Sequence, residues 1–157
     1  MKVYIGSDHA GFDLKEAIKN YLTEKKIEFI DMGTDSASKS VDYPDYALEV
    51  AKETAKNNNS IGILVCGTGI GMSIAANKVK GVRAALIYDE YTAEVAKKHN
   101  NANVITFGGR TMTPLEVDRY LTKFLNAEFE DGRHQNRIDL NYETVKINSF
   151  TYMKLIQ

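Results

Sequence analysis

The sequence predicts an α/β fold, a single doubly wound, Rossmann-like parallel sheet of five strands in the flavodoxin-type order 2-1-3-4-5, with helices on both faces. Short apolar runs alternate five times with segments of helical period along the 157 residues. One run, Ile61-Gly62-Ile63-Leu64-Val65, is apolar almost throughout, as a central strand buried on both faces must be. The joins are short, and no repeat, low-complexity tract or linker interrupts them. Residues 1–157 are therefore read as one domain.

The elements follow in order. Val3–Ile5 reads as a strand ending at Gly6, and Phe12, Leu14, Ile18, Tyr21 and Leu22 recur at helical spacing after it. Ile27–Ile30 is a second strand, closed by Gly33, and the polar residues 34–42 form a loop. Pro44 opens a helix with Tyr46, Val50 and Ala51 inward, and Asn57-Asn58-Asn59 ends it. Strand three, Ile61–Val65, stops at Cys66, and a small-residue helix spans Met72–Asn77. Val82–Ile87 is the fourth strand, followed by a helix through His99. Val104–Phe107 is the fifth, and Pro114 opens a helix with Leu115, Tyr120, Leu121, Phe124 and Leu125 on its apolar side. The tail after Gly132 reads as helical before it loosens, and its apolar residues between about 138 and 157 are expected to pack on a partner subunit.

Composition narrows the function. Twenty basic and 21 acidic residues give a formal net charge of -1, so no basic excess points to nucleic acid or an anionic membrane. One cysteine, Cys66, rules out an intramolecular disulfide. No leader-like segment and no membrane-length apolar run is read, so a soluble cytoplasmic protein is expected.

In a doubly wound sheet, ligands bind beyond the carboxyl ends of the strands where the strand order reverses, here between strands one and three. Strand one ends in Gly6-Ser7-Asp8-His9-Ala10-Gly11 and strand three in Cys66-Gly67-Thr68-Gly69-Ile70-Gly71. The glycine segment matches a dinucleotide fingerprint and a P-loop only weakly: its third glycine comes one residue early, and it ends Gly71-Met72-Ser73. It is either a plain strand-to-helix turn or a row of backbone N–H groups for an anion or a developing oxyanion. Cys66 precedes that row, where thiols are more acidic than free cysteine and serve as proton acceptors. Asp8 is read as a helix cap or a ligand group, with His9 a donor to a ligand oxygen. His99 is a solvated helix-end histidine or a functional one. Arg133 and Arg137, four apart, share a helix face and with Arg110 and His134 form either an anion clamp or a solvated basic face. The three histidines are far apart in sequence, and no metal site is read from them.

Several segments recur together: Ser7-Asp8-His9-Ala10-Gly11-Phe12, Asp42-Tyr43-Pro44, Cys66 to Gly71, Ala75-Ala76-Asn77-Lys78, His99-Asn100, Asn103-Val104, Phe107-Gly108 and Gly132-Arg133-His134-Gln135-x-Arg137. In this order and spacing they resemble the type B ribose-5-phosphate isomerases, in a wider family with galactose- and allose-6-phosphate isomerases. The resemblance implies a cofactor-free interconversion of ribose 5-phosphate and ribulose 5-phosphate through an enediol, a step of the pentose phosphate pathway. It implies Cys66 as the base, His99 as the ring-opening acid and Thr68 close to the ring oxygen. It implies Gly67, Gly69, Ile70 and Gly71 as backbone holders of the enediolate oxygen. Asp8, His9 and Asn100 would orient sugar hydroxyls, and Arg110, Arg133 and Arg137 would hold the phosphate. It also implies a homodimer or tetramer with sites built from two subunits.

Three other readings make distinguishable expectations. A hexose 6-phosphate isomerase would keep the chemistry in a longer site. A phospho-acceptor receiver domain would need an aspartate ending strand three, where Cys66 stands. A flavin carrier would need a Ser/Thr-rich phosphate loop after strand one, where Ser7-Asp8-His9 stands.

Overall fold

Five short apolar runs pair side by side, all parallel, into one sheet. The computed structural model describes residues 1–143. The strands are β1 (Lys2–Ser7), β2 (Glu28–Asp31), β3 (Ser60–Cys66), β4 (Ala84–Leu86) and β5 (Val104–Gly108). The helices between them are α1 (Phe12–Glu24), α2 (Tyr43–Lys56), α3 (Ile70–Ala76), α4 (Glu90–Lys98) and α5 (Pro114–Asn126), and residues 133–143 form α6.

Strand order is β2-β1-β3-β5-β4, which corrects the expected 2-1-3-4-5 at one edge. The cause is burial. β5 (Val-Ile-Thr-Phe-Gly) is buried at every position and takes the inner place beside β3. β4 is three residues long, half-buried, and sits at the edge. It is also shorter than the expected Val82–Ile87. The Asn77 side chain closes its start, accepting from the Ala84 N–H at 2.8 Å and donating to the Ala84 carbonyl at 2.9 Å. An amide thus stands where a further strand would pair.

The two faces of the sheet carry separate cores. Val3, Ile5, Ile63, Val65, Ile105 and Phe107 pack under α1, α4 and α5. Tyr4, Leu64, Cys66 and Val104 pack under α2 and α3. On α5 the inward stripe is Val117, Tyr120, Leu121 and Phe124. Leu115, expected inward, is exposed, because it stands two residues from Val117 and so on the far side of a helix of period 3.6. Thr113 and Glu116 close a capping box at the start of α5, as Asp89 and Thr92 do for α4.

Lys15 is fully buried on the first turn of α1. Its ammonium donates to the Asp31 carboxylate at 2.7 Å and to the Thr34 carbonyl at 2.5 Å. Burial alone would raise the Asp31 pKa, but hydrogen bonds from Lys15, Lys19 and the Gly33 N–H outweigh it and hold the group below the usual range. This knot ties the loop after β2 to α1. The same loop brings the Val41 N–H to His9 Nδ1 at 3.2 Å.

Most of the segment expected to pack on a partner, 138–157, lies outside the described residues. Of its first part, Ile138 is buried and the Tyr142 hydroxyl accepts from Arg83 Nη1 at 2.7 Å.

Removing the Lys15 ammonium leaves a buried carbonyl unmatched and Asp31 short of one cation. Lys15→Met is expected to cost about 2 kcal/mol of unfolding free energy at neutral pH. Because the folded Asp31 pKa is depressed, its contribution is present above about pH 4 and is lost as pH falls through the folded value. Urea titrations from pH 7 to 3 should show the gap between variant and parent narrowing with acid; a constant gap would contradict this coupling.

Candidate active site

Two half-sites emerge, one at each edge of the sheet. The first lies at the carboxyl ends of β1, β3 and β5. Cys66 is the last residue of β3, 5% exposed, facing α2 and α3. Its Sγ accepts the Gly69 N–H at 3.2 Å. Gly69 has φ of 81°, a left-handed conformation that suits glycine, and it turns the chain from β3 into α3. The Ile70 N–H meets Thr68 Oγ1 at 3.3 Å. The segment is therefore more than a row of free N–H groups: the Gly69 and Ile70 donors have partners within the loop, one of them the cysteine sulfur.

The inner place of β5 completes this edge. Gly109 N–H donates to the Cys66 carbonyl at 2.8 Å, and Arg110 N–H to the Gly67 carbonyl at 2.9 Å. A Cβ built on Gly67 would stand 3.2 Å from Arg110 Nη1, so the exposed guanidinium lies over the start of the glycine segment. In the order 2-1-3-4-5 an extra strand would have held Arg110 about 5 Å farther off. From the β1 side, Asp8 is buried, and one carboxylate oxygen accepts the Gly11 N–H at 3.0 Å. The capping reading of Asp8 is thus corrected: the helix begins at Phe12 rather than Ala10, its N-cap is Gly11, and the Asp8 carboxylate closes the turn that precedes it. His9 accepts at Nδ1 from Val41, so its Nε2 carries the proton in the neutral ring and is a hydrogen-bond donor.

The second half-site lies at the opposite edge. Each helix returns antiparallel to the strand before it, so the end of α4 lies at the amino ends of the strands. His99 is the C-cap of α4, and Asn100 follows it toward Val104, where β5 begins. Val104 pairs with Gly62 and Gly108 with Cys66, so the two ends of β5, at ~3.3 Å per residue, stand about 13 Å apart, with His99 on the chain before the first and Cys66 beside the last. The Glu130 N–H donates to the Lys98 carbonyl at 3.0 Å and docks the next segment here. The His134 ring then stacks on His99, centroids 4.3 Å apart and planes 9° from parallel. Arg133 and Arg137, both exposed on α6, flank His134.

Sequence distance between the histidines therefore misled: two of the three are in contact. Their ring nitrogens and a Glu130 oxygen lie within 4.8 Å of one another. Parallel stacked rings aim their in-plane lone pairs along parallel planes, a geometry suited to stacking and not to converging on one ion. A cavity of about 560 Å³ at this edge is lined by Val82, Arg83, Asn100, Ile138 and Tyr142 among others. The fold thus brings Asp8, His9, Cys66, Gly67, Thr68, Gly69, Ile70, Gly71 and Arg110 together, and separately His99, Asn100, Arg133 and Arg137. The first group offers a base beside oriented N–H donors. The second offers imidazoles and guanidinium groups suited to proton donation and anion binding.

Residues 3–140 match the family model described as Ribose/Galactose Isomerase. The chain is 43% identical over 138 residues to ribose-5-phosphate isomerase B of Escherichia coli K12, covering 88% of this chain and 92% of that protein. It is similar to a ribose 5-phosphate isomerase from Thermotoga maritima, with TM-score 0.85, 48% identity and coverage of 88% and 94%. It is also similar to ribose-5-phosphate isomerase B of Mycoplasma genitalium with bound ribulose 5-phosphate, with TM-score 0.88, 44% identity and coverage of 92% and 96%.

Burial, then the adjoining His99 ring and the Arg133 guanidinium, push the His134 pKa below its ordinary value. The unfolded chain therefore binds this proton more readily, and the stability that goes with a neutral His134 is lost as pH falls from about 6.5. Imidazole NMR titration should give His134 a midpoint below 6.5; a midpoint at or above it would contradict the stacked, buried placement.

Proposed function

The chain belongs to the ribose/galactose isomerase family, and from that premise we propose that it interconverts ribose 5-phosphate and ribulose 5-phosphate by proton transfer through an enediolate. The observation that carries this reading is the placement of Cys66, buried at the end of the central strand with the Gly69 N–H on its sulfur and Arg110 over the adjoining loop. The M. genitalium relative's complex with ribulose 5-phosphate supports a five-carbon substrate.

The reaction starts from a closed furanose. His99 gives a proton to the ring oxygen as the C1–O bond breaks, with Thr68 beside that oxygen; the anomeric hydroxyl releases its proton through solvent, which restores the imidazole's, and the aldehyde is exposed. The Cys66 thiolate removes the proton from C2, and the electron pair becomes the C1–C2 double bond of the enediolate. Backbone N–H groups of Gly67, Ile70 and Gly71 stabilise the negative O1, and Gly69 turns the chain that carries them while its own N–H stays on the Cys66 sulfur. The thiol then returns its proton to C1 while the O2 proton passes to O1, so that C2 becomes the carbonyl and O1 the hydroxyl of the ketose, with no net gain or loss. Asp8, His9 and Asn100 orient hydroxyls. Arg110, Arg133 and Arg137 hold the phosphate, whose binding energy aligns the reacting carbons. No step draws on a cofactor.

An acid and a base for one sugar must both lie within hydrogen-bond reach of it. Within one chain His99 and Cys66 stand at opposite edges of the sheet. The second half of each site therefore comes from a second copy, and the working unit is a homodimer or a tetramer of such dimers. Ile70 and Ile74, 53% and 57% exposed and one turn apart on α3, offer an apolar face for that contact beside the site. The protein acts in the cytoplasm as one domain per chain; among the described residues no helix is long and apolar enough to cross a membrane.

The test is isomerisation of ribose 5-phosphate by chelator-treated protein, parent beside Cys66→Ala. The parent should turn over, and the folded variant should lose at least about 100-fold in kcat. Activity surviving in the variant would move the base elsewhere, and a strong preference for hexose 6-phosphates would overturn the pentose assignment.

A further inference from the structure

Thr106 is the one hydroxyl on β5. It is fully buried in a strand otherwise made of Val104, Ile105, Phe107 and Gly108. Its register partner on β3 is Leu64, so it faces α2 and α3, as Cys66 does two residues further along β3. Its Oγ1 donates to the Gly69 carbonyl at 2.9 Å. That carbonyl also accepts the Ser73 N–H at 3.1 Å, the first bond of α3.

A planar trans peptide points its carbonyl and its N–H in opposite directions. The Gly69 carbonyl and the Ile70 N–H belong to one such unit. With the carbonyl drawn inward to Thr106, the Ile70 N–H must face outward, and it does, toward the exposed Thr68 hydroxyl. The preceding unit carries the Gly69 N–H, directed at Cys66 Sγ. Gly69 links the two units and, at φ of 81°, can swing more freely than another residue in that turn. We propose that Thr106 is a positioning residue for catalysis: its hydroxyl locks the Gly69–Ile70 peptide so that one N–H faces the developing oxyanion and the other stays on Cys66. This rests on the anion-hole role assigned above to the glycine segment.

Electrostatic stabilisation of this kind works only when the donors are already oriented, because reorienting them costs part of what they contribute. A loosened peptide should therefore weaken the enediolate and leave the ground-state sugar phosphate, held mainly by arginines, almost unaffected. A purely structural threonine would show no such split. The Gly69 carbonyl keeps its Ser73 partner if the hydroxyl is removed, so the variant has no orphaned acceptor to unfold it.

The experiment compares Thr106→Val, which keeps the branched shape and removes the donor, with Thr106→Ser, which keeps the donor. The readouts are kcat and KM for ribose 5-phosphate, affinity for a phosphorylated hydroxamate that mimics the enediolate, and the thermal midpoint. Thr106→Val should lower kcat about 10-fold and hydroxamate affinity by a similar factor, with KM within about 2-fold; Thr106→Ser should recover most of both. Parent-like kcat in Thr106→Val would overturn the proposal. So would a serine variant as slow as the valine one, which would assign the effect to the methyl group. Should Thr106→Val not fold, Thr106→Ala is the substitute, and parent-like kcat there would overturn it equally. An inactive Cys66→Ala beside an unaffected Thr106→Val would refute this inference alone; an active Cys66→Ala would refute the reading beneath it.

Discussion

A strand that is apolar on both faces has to lie inside a sheet, with helices above and below it. β3 is such a strand, buried at all seven of its positions. With β3 fixed between β1 and β5, its last residue, Cys66, falls where the loop after β1 and the loop after β5 meet. The Gly109 and Arg110 N–H groups then dock onto the Cys66 and Gly67 carbonyls. The chemistry of this edge follows from where a hydrophobic run must go.

The same connectivity imposes a separation. Parallel strands require each helix to run back to the starting edge, so whatever ends α4 lies far from whatever ends β3. His99 ends α4 and Cys66 ends β3. The length of β5 stands between the two ends. With the base and acid roles proposed above, such a chain is half of two sites, and the proposed pairing of two copies completes both. Rigid support at each edge has a local source. Lys15 pins the loop that presents Val41 to His9, Thr106 holds the Gly69 carbonyl, and the His134 ring lies against His99.

Much of this was legible in the linear sequence, because periodicity and turn chemistry are local. Residues 61–65 announced a central strand, Pro44 and Pro114 announced helix starts, and the segments at 6–11 and 66–71 were set side by side by topology alone. What escaped depends on contacts across the chain. The exchange of β4 and β5 turns on relative burial, and the clue was the contrast between Val82-Arg83-Ala84-Ala85 and Val104-Ile105-Thr106-Phe107. The His99–His134 stack needs the segment before α6 docked on α4, which no local spacing reveals. Lys15 looked like any helix lysine until Asp31 and Thr34 were seen beside it. Thr106 carried a signal that passed unread, a lone hydroxyl inside an otherwise apolar strand.

The central claim is that each site takes its base from one chain and its acid from another. It is tested most directly by complementation, with Cys66→Ala and His99→Asn chains co-expressed and purified as the mixed assembly. Each variant alone should be nearly inactive. Random pairing makes half of the dimers mixed, each with one intact site of two, so the mixture should recover about a quarter of the parent activity. A mixture no more active than the two variants separately would contradict the account and place acid and base within one chain.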